Sequence, residues 1–252
     1  MMRISDTVKH LIIINVIMFV GTMFIGGGEL FREWFTMFFP KNDMFKPWQI
    51  ITHMFMHGGP SHILFNMFAL WMFGTPVERY LGSKKFLFLY LSAGLGAVAL
   101  QMGYSYFLFY KDLDVLVNAG FDINQIFDTL NSARGMRDTR WDEYLPGQEL
   151  RSFLEAFNTG MVGASGCIMG VMVAFAMMNP NAELMMIFLP IPIKAKYFIP
   201  GIILLDLISG ISGQSFFSPS NTAHFAHVGG ALTGFIVMWY WRKTQFNKNR
   251  WN

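Results

Sequence analysis

The sequence predicts an all-α, polytopic membrane protein built on six transmembrane helices. Three observations carry that prediction. Six apolar runs are spread along the whole chain. Only 14% of the 252 residues are charged against 53% hydrophobic, whereas a soluble domain carries about 25% charged residues. The remaining charges gather between the runs with a bias of sign. The apolar content excludes a disordered chain, and the single Cys167 excludes a disulfide scaffold.

A helix that crosses the bilayer needs roughly 20 mostly apolar residues, because the hydrocarbon layer is about 30 Å thick and a helix rises about 1.5 Å per residue. The first run covers about 10–27. No clear small-x-small cleavage site follows it and further runs come later, so it is expected as a membrane span and makes no convincing signal peptide. Only about nine residues precede it, so no soluble regulatory domain is expected ahead of it. The second run, about 61–77, is short and holds His62 and Asn66. The third, 86–110, has no Asp, Glu, Lys or Arg over 25 residues. The fourth covers about 159–178, the fifth about 197–216 with Asp206 inside it, and the sixth about 224–241. The stretch 184–193 is too short and too broken by proline to span, and is expected as a connection near the interface.

Six crossings put both termini on one side. The segments 1–9, 78–85, 179–196 and 242–252 hold eleven basic residues and three acidic ones. The loops 28–60, 111–158 and 217–223 hold eight basic and twelve acidic. Cytoplasmic loops are enriched in Lys and Arg, so the termini are expected in the cytoplasm and the protein in the cell inner (plasma) membrane. The basic pI of about 9.0 is then membrane topology, and no nucleic-acid partner is expected. The chain reads as one domain, 1–252, with an extended extracytoplasmic loop at about 111–158. That loop carries five basic and nine acidic residues. Within it Ile123, Ile126, Phe127 and Leu130 recur at helical spacing, as do Leu150, Phe153, Leu154 and Phe157. Two short amphipathic helices are expected there, either as a stabilising cap or as an element that handles substrate.

Polar side chains at membrane depth are costly and mark a site or a buried pairing. His62 and Asn66 are four residues apart and share a helix face, where they pair with each other or stabilise an anion. Ser165 lies between small residues in Gly163–Gly166, which suits close helix packing as well as an open hydroxyl. Gly230 and Gly234 carry the same ambiguity. His227 is different, because an imidazole is a poor packing group and a good base near neutrality. A serine hydroxyl becomes a nucleophile only when a base takes its proton, and Ser165 with His227 forms a plausible pair.

Three motifs in order give these residues a family resemblance. HGGPSHILFN carries His57, His62 and Asn66, GASG carries Ser165 between Gly163 and Gly166, and AHVGGALTG carries His227, Gly230 and Gly234. The chain resembles the rhomboids, intramembrane serine proteases with a six-helix core and a Ser–His dyad. The resemblance implies Ser165 as nucleophile and His227 as general base. It implies an oxyanion site made by the Ser165 backbone N–H with the His62 and Asn66 side chains. Packing alone would orient the imidazole, and Gly230 and Gly234 would bring the sixth helix close to the fourth. His57 would line a polar mouth on the extracytoplasmic side, and Glu78 would be a structural anchor. The partners implied are transmembrane protein substrates and membrane lipid, with entry between the second and fifth helices under the 213–223 connection. No cofactor and no metal is expected.

This sequence departs from the family pattern at Trp48–Gln49, where many bacterial relatives have Trp–Arg, and its third loop is long. His224 stands three residues before His227 as a rival base. Asp206 has no partner identifiable in sequence. A catalytically inactive rhomboid-like chaperone is the alternative within the fold. A metal site or transporter using the histidines and Cys167 is the alternative outside it.

Overall fold

The computed structural model describes residues 3–133, 135–186, 189–215 and 223–248. They are mostly helical. In chain order the helices are α1 (Asp6–Phe24), α2 (Glu29–Phe35), α3 (Gln49–Thr52), α4 (Pro60–Ala69), α5 (Thr75–Leu81), α6 (Ser83–Asn118), α7 (Ile123–Ser132), α8 (Gln148–Asn158), α9 (Ser165–Met178), α10 (Ala195–Ser212) and α11 (His224–Lys248). One antiparallel hairpin, β1 (Glu183–Met186) with β2 (Leu189–Lys194), interrupts them.

Among the described residues three helices, α1, α6 and α10, are long and apolar enough to cross a membrane, and α9 is apolar but shorter. The second apolar run lies on α4, a π-helical turn at Leu70–Gly74, and α5. Pro76 explains the turn. It has no N–H to donate to residue 72 and its ring crowds that carbonyl, so the ladder takes in an extra residue there. The sixth run lies on α11.

The structure corrects the sequence reading at three places. Within this stretch β1 and β2 pair, Glu183 opposite Lys194 and Leu184 opposite Ile193, so the chain is not wholly α. The fourth run is helical only from Ser165, and residues 159–164 are non-helical. The third helix does not stop at 110 but runs on to Asn118. At about 1.5 Å per residue, α6 is roughly 54 Å long, well beyond the hydrocarbon thickness. Its last turns are held by packing. Phe109, Leu113 and Leu116 join Trp141 and the buried faces of α7 (Ile126, Leu130) and α8 (Leu150, Phe153, Phe157) in a core of their own. The two amphipathic helices expected in the loop are α7 and α8. Of the 213–223 connection, residues 216–222 lie outside the described residues.

α9 forms the centre of the bundle, buried at every residue from Gly166 to Phe175, and it packs against both α6 and α11. Glycines set the α9–α11 distance. A methyl group built on Gly230 would come within 2.0 Å of the Gly166 carbonyl oxygen, and one on Gly234 within 2.5 Å of the Gly170 Cα. At the opposite end of the bundle, Glu78 at the close of α5 accepts from Ser83 Oγ (2.7 Å), Thr7 N–H (3.0 Å) and Val8 N–H (3.0 Å), and from the Ser5 hydroxyl. One carboxylate thereby caps the starts of both α1 and α6.

Candidate active site

Ser165 owes its position to the segment before it. Met37 and Met161 exchange both backbone hydrogen bonds, at 3.1 and 2.8 Å, which ties the chain to the first loop. Gly163 N–H then donates to the His53 carbonyl at 3.0 Å. Gly163 has φ +124°, a conformation that favours glycine. A Cβ there would lie 2.9 Å from His62 Nε2 and 3.6 Å from Ser165 Oγ, so the absent side chain leaves the space between those two groups. Ser165 is the first residue of α9. The earliest bond of that helix runs from Ile168 N–H to the Ala164 carbonyl. The N–H groups of the first turn, Ser165's among them, therefore have no acceptor within the helix.

His227 comes from α11, held against α9 by the glycine contacts. Its Nε2 is 2.9 Å from Ser165 Oγ. Its Nδ1 is 2.9 Å from Asp206 Oδ2. The other oxygen of that carboxylate, Oδ1, is 2.7 Å from His224 Nδ1, and His224 Nε2 is 2.8 Å from Ser215 Oγ. The sequence reading had the imidazole oriented by packing alone, and the structure corrects this. The buried Asp206 of α10 faces both histidines of α11 at once. It also separates them: only His227 reaches Ser165, while His224 points towards Ser215. Asp206 is the residue that sequence reasoning missed. Its signal was a lone acid inside an apolar run, with two histidines at i, i+3 spacing on another run to receive it.

His62 and Asn66 come from α4. Gly58 N–H donates to His62 Nδ1 at 3.3 Å, so a neutral His62 carries its proton on Nε2, the atom that faces the space at Gly163. Asn66 is buried, and its Nδ2 has no hydrogen-bond partner among the described residues. His57 packs edge-on to His62 with ring centroids 5.0 Å apart. Burial, and then the neighbouring His62, lower the His57 imidazole to about 4, so it is neutral at physiological pH. Burial likewise lowers His53 to about 4. His53 Nδ1 donates to the Gln49 carbonyl at 2.8 Å. Gln49 itself is fully buried and binds the first loop together. Its Nε2 donates to the Glu33 and Met44 carbonyls, both at 2.9 Å, and its Oε1 accepts from Lys46 N–H at 3.0 Å. A neutral carboxamide thus closes this loop by pairing with backbone alone. Among the described residues no three His, Cys, Asp or Glu side chains gather as a metal-ligand set. Cys167 is buried, with its Sγ towards Gly94.

A family model described as Rhomboid domain matches residues 44–116 and 146–244. The unmatched stretch between them contains α7 and the turns before α8. Over 100 residues, 38% of the chain, the sequence is 36% identical to Rhomboid protease GluP of Bacillus subtilis (strain 168), covering 20% of that protein. It is 27% identical over 202 residues to Presenilin-associated rhomboid-like protein A, mitochondrial, of Danio rerio, covering 78% of this chain and 39% of the relative. It is 30% identical over 101 residues to Rhomboid protease GlpG of Salmonella choleraesuis (strain SC-B67), covering 40% of this chain and 37% of the relative. The chain thus spans about two fifths or less of the length of each of these relatives.

Proposed function

The chain belongs to the rhomboid family, and from that premise we propose that it is an intramembrane serine endopeptidase. It cuts peptide bonds in or near the transmembrane segments of other membrane proteins. The observation that carries this reading is the 2.9 Å contact between Ser165 Oγ and His227 Nε2. A hydroxyl that donates to an imidazole nitrogen at that distance is a nucleophile with its base in place.

In the proposed reaction Ser165 Oγ attacks the scissile carbonyl carbon and its proton passes to His227 Nε2. The carbonyl π electrons move onto oxygen. That oxyanion is received by Ser165 N–H, by the Nε2–H of His62 and by the otherwise unpartnered Nδ2 of Asn66. Each such donor is worth roughly 3–4 kcal/mol in the transition state. Collapse breaks the C–N bond, and His227 returns the proton to the leaving amine. Water then attacks the acyl-enzyme by the same relay. A substrate helix hides its carbonyls in its own hydrogen bonds and must unwind locally before attack, so helix-destabilising or small residues are expected near the cut.

The fold belongs to the same proposal. The six apolar runs cross the membrane in a single domain, 1–252, with both termini cytoplasmic in a plasma membrane. The cap at 111–158 then stands on the extracytoplasmic side, where His57, His62 and Asn66 form the polar mouth. Gly163, Gly166, Gly230 and Gly234 support the site through backbone geometry and close approach. The test is the purified protein in detergent with a transmembrane substrate. Cleavage should persist in a chelator and disappear in Ser165→Ala and in His227→Ala. Cleavage that survives the serine substitution refutes the reading. A parent protein that binds the substrate without cutting it supports the inactive, chaperone-like alternative.

A further inference from the structure

The carboxylate behind His227 has no place in the reaction as derived so far. We infer that Asp206 is a third, positioning member of the site: it fixes the tautomer of His227, and His224 holds it in place. The inference rests on the proposed serine chemistry and deepens it.

The argument is one of proton placement. A neutral imidazole carries one N–H. If the proton of His227 were on Nε2, its Nδ1 lone pair would face Asp206 Oδ2 at 2.9 Å, two acceptors in contact. A carboxylate offers no proton to relieve that contact. The proton is therefore driven to Nδ1, which leaves Nε2 as a lone pair facing Ser165 Oγ at 2.9 Å. The carboxylate thus selects the one neutral form of His227 that can act as base. The same constraint applies to His224, whose Nδ1–H donates to Oδ1 at 2.7 Å while its Nε2 faces Ser215 Oγ at 2.8 Å. With both imidazoles neutral and Asp206 ionised, one assignment satisfies these contacts: Nδ1–H on His224 and on His227.

A purely structural acid, tying α10 to α11, would need only one of the two imidazoles. Here the carboxylate spends one oxygen on the residue that touches the nucleophile and the other on a residue that does not. His224 thereby restrains rotation of the carboxylate plane and keeps Oδ2 directed at His227. When Ser165 gives its proton to Nε2, the imidazolium forms beside a buried negative charge, where Coulomb attraction is much stronger than in water. The proton stays on the imidazole, and Asp206 takes no part in covalent steps.

Asp206→Asn tests this, because asparagine keeps the shape and can turn its NH2 towards Nδ1, which favours the wrong tautomer. The kcat for a transmembrane substrate is expected to fall roughly 10²–10⁴-fold. KM should change by no more than about threefold, since the residue contacts no substrate. His224→Ala should cost less, about tenfold, as the carboxylate keeps its bond to His227 but loses its second restraint. Histidine 15N shifts supply a readout that a structural role would not move. At a pH where the imidazole is neutral, His227 should be protonated at Nδ1 in the parent and at Nε2 in Asp206→Asn. A parent His227 protonated at Nε2 overturns the assignment, and so does a variant that keeps kcat within about threefold. A variant with lower kcat but an unchanged tautomer would show Asp206 to be packing only, which also overturns it. If Asp206→Asn does not fold, the parent tautomer alone decides. A parent that neither cleaves substrate nor labels at Ser165 with a fluorophosphonate refutes the protease reading, and the tautomer measurement still judges Asp206 separately.

Discussion

Replacing Gly230 by alanine is the sharpest test of how the fold sets the chemistry. The added methyl carbon would stand 2.0 Å from the Gly166 carbonyl oxygen, and ordinary contact begins at 3.4 Å. One helix must therefore move by about 1.4 Å from the other, since the obstacle is backbone and cannot rotate away. Gly166 adjoins Ser165, and Gly230 lies one turn beyond His227. The displacement falls directly on the 2.9 Å contact between Ser165 Oγ and His227 Nε2. Stretched beyond about 4 Å, that contact is no longer a hydrogen bond. A misplacement of about 1 Å can cost 10²-fold in rate, equivalent to about 2.7 kcal/mol on the barrier. The effect on stability is smaller. Overpacking costs about 1–3 kcal/mol, offset by about 1 kcal/mol from the better helix propensity of alanine. The expected outcome is a variant that melts within a few degrees of the parent but cleaves a transmembrane substrate at least about 100-fold more slowly. Gly103→Ala on α6 is the control, because a Cβ there meets nothing within 4 Å, and it should keep parental activity. A Gly230→Ala protein that cleaves within about threefold of the parent would refute the claim that this close approach holds His227 on Ser165.

Two further predictions concern the ends of the bundle. Burial pushes the Glu78 carboxyl up, but the donors from Ser5, Thr7, Ser83 and Val8 outweigh it and bring it from 4.5 to about 2. Because the folded value is the lower one, this stabilisation of about 3 kcal/mol is complete above about pH 5 and is lost as pH falls from 4.5 towards 2. The gap in melting temperature between the parent and Glu78→Gln should therefore shrink over that window; a gap that stays constant with pH would contradict the assignment. At the other end, Phe153 is fully buried and stacks on Phe109 with centroids 4.8 Å apart. Phe153→Ala should destabilise the cap by about 3–5 kcal/mol, seen as faster proteolytic nicking between α7 and α8. Fluorophosphonate labelling of Ser165 should persist, whereas its loss would make the cap part of the catalytic machinery.

The parts of the fold readable from sequence are those governed by local composition. Apolar runs located the long helices because a helix in lipid must satisfy its own backbone and cover it with apolar side chains. The period of Ile126 and Leu130, and of Leu150, Phe153 and Phe157, located α7 and α8. What sequence could not supply was tertiary. The start of α9 at Ser165 depends on Met37 pairing with Met161 and on His53 accepting from Gly163, contacts that reach over 100 residues along the chain. The continuation of α6 past Lys111 and Asp112 depends on packing against a cap that a hydropathy window does not see. Asp112 is itself buried there, with its carboxylate 3.7 Å from Lys111 Nζ. Of the candidate site, Ser165, His227, His62 and Asn66 could be named as candidates because each sits in a short motif. Asp206 sits in none, and its partners are 18 and 21 residues away on a different helix.

The short α9 connects these findings. Its 14 residues rise about 21 Å, some 9 Å less than the hydrocarbon layer. In the proposed topology, with its Asn179 end level with the cytoplasmic boundary, Ser165 would fall below the opposite boundary by about that difference. The chain reaches it through the non-helical residues 159–164, whose polar backbone would be untenable against lipid. It is tenable here because Met37 and His53 take up those groups and because α9 is enclosed by α6 and α11. A helix that starts inside the bilayer also leaves its first N–H groups unpaired at that depth. In lipid that is a penalty, while beside His62 and Asn66 those N–H groups remain available as donors. The same shortening that moves the alcohol inward therefore supplies the N–H groups to which the proposed reaction assigns the oxyanion. A longer α9 running through 159–164 would bury those donors in its own ladder and leave Ser165 in mid-helix, with no space at Gly163 for a carbonyl to enter.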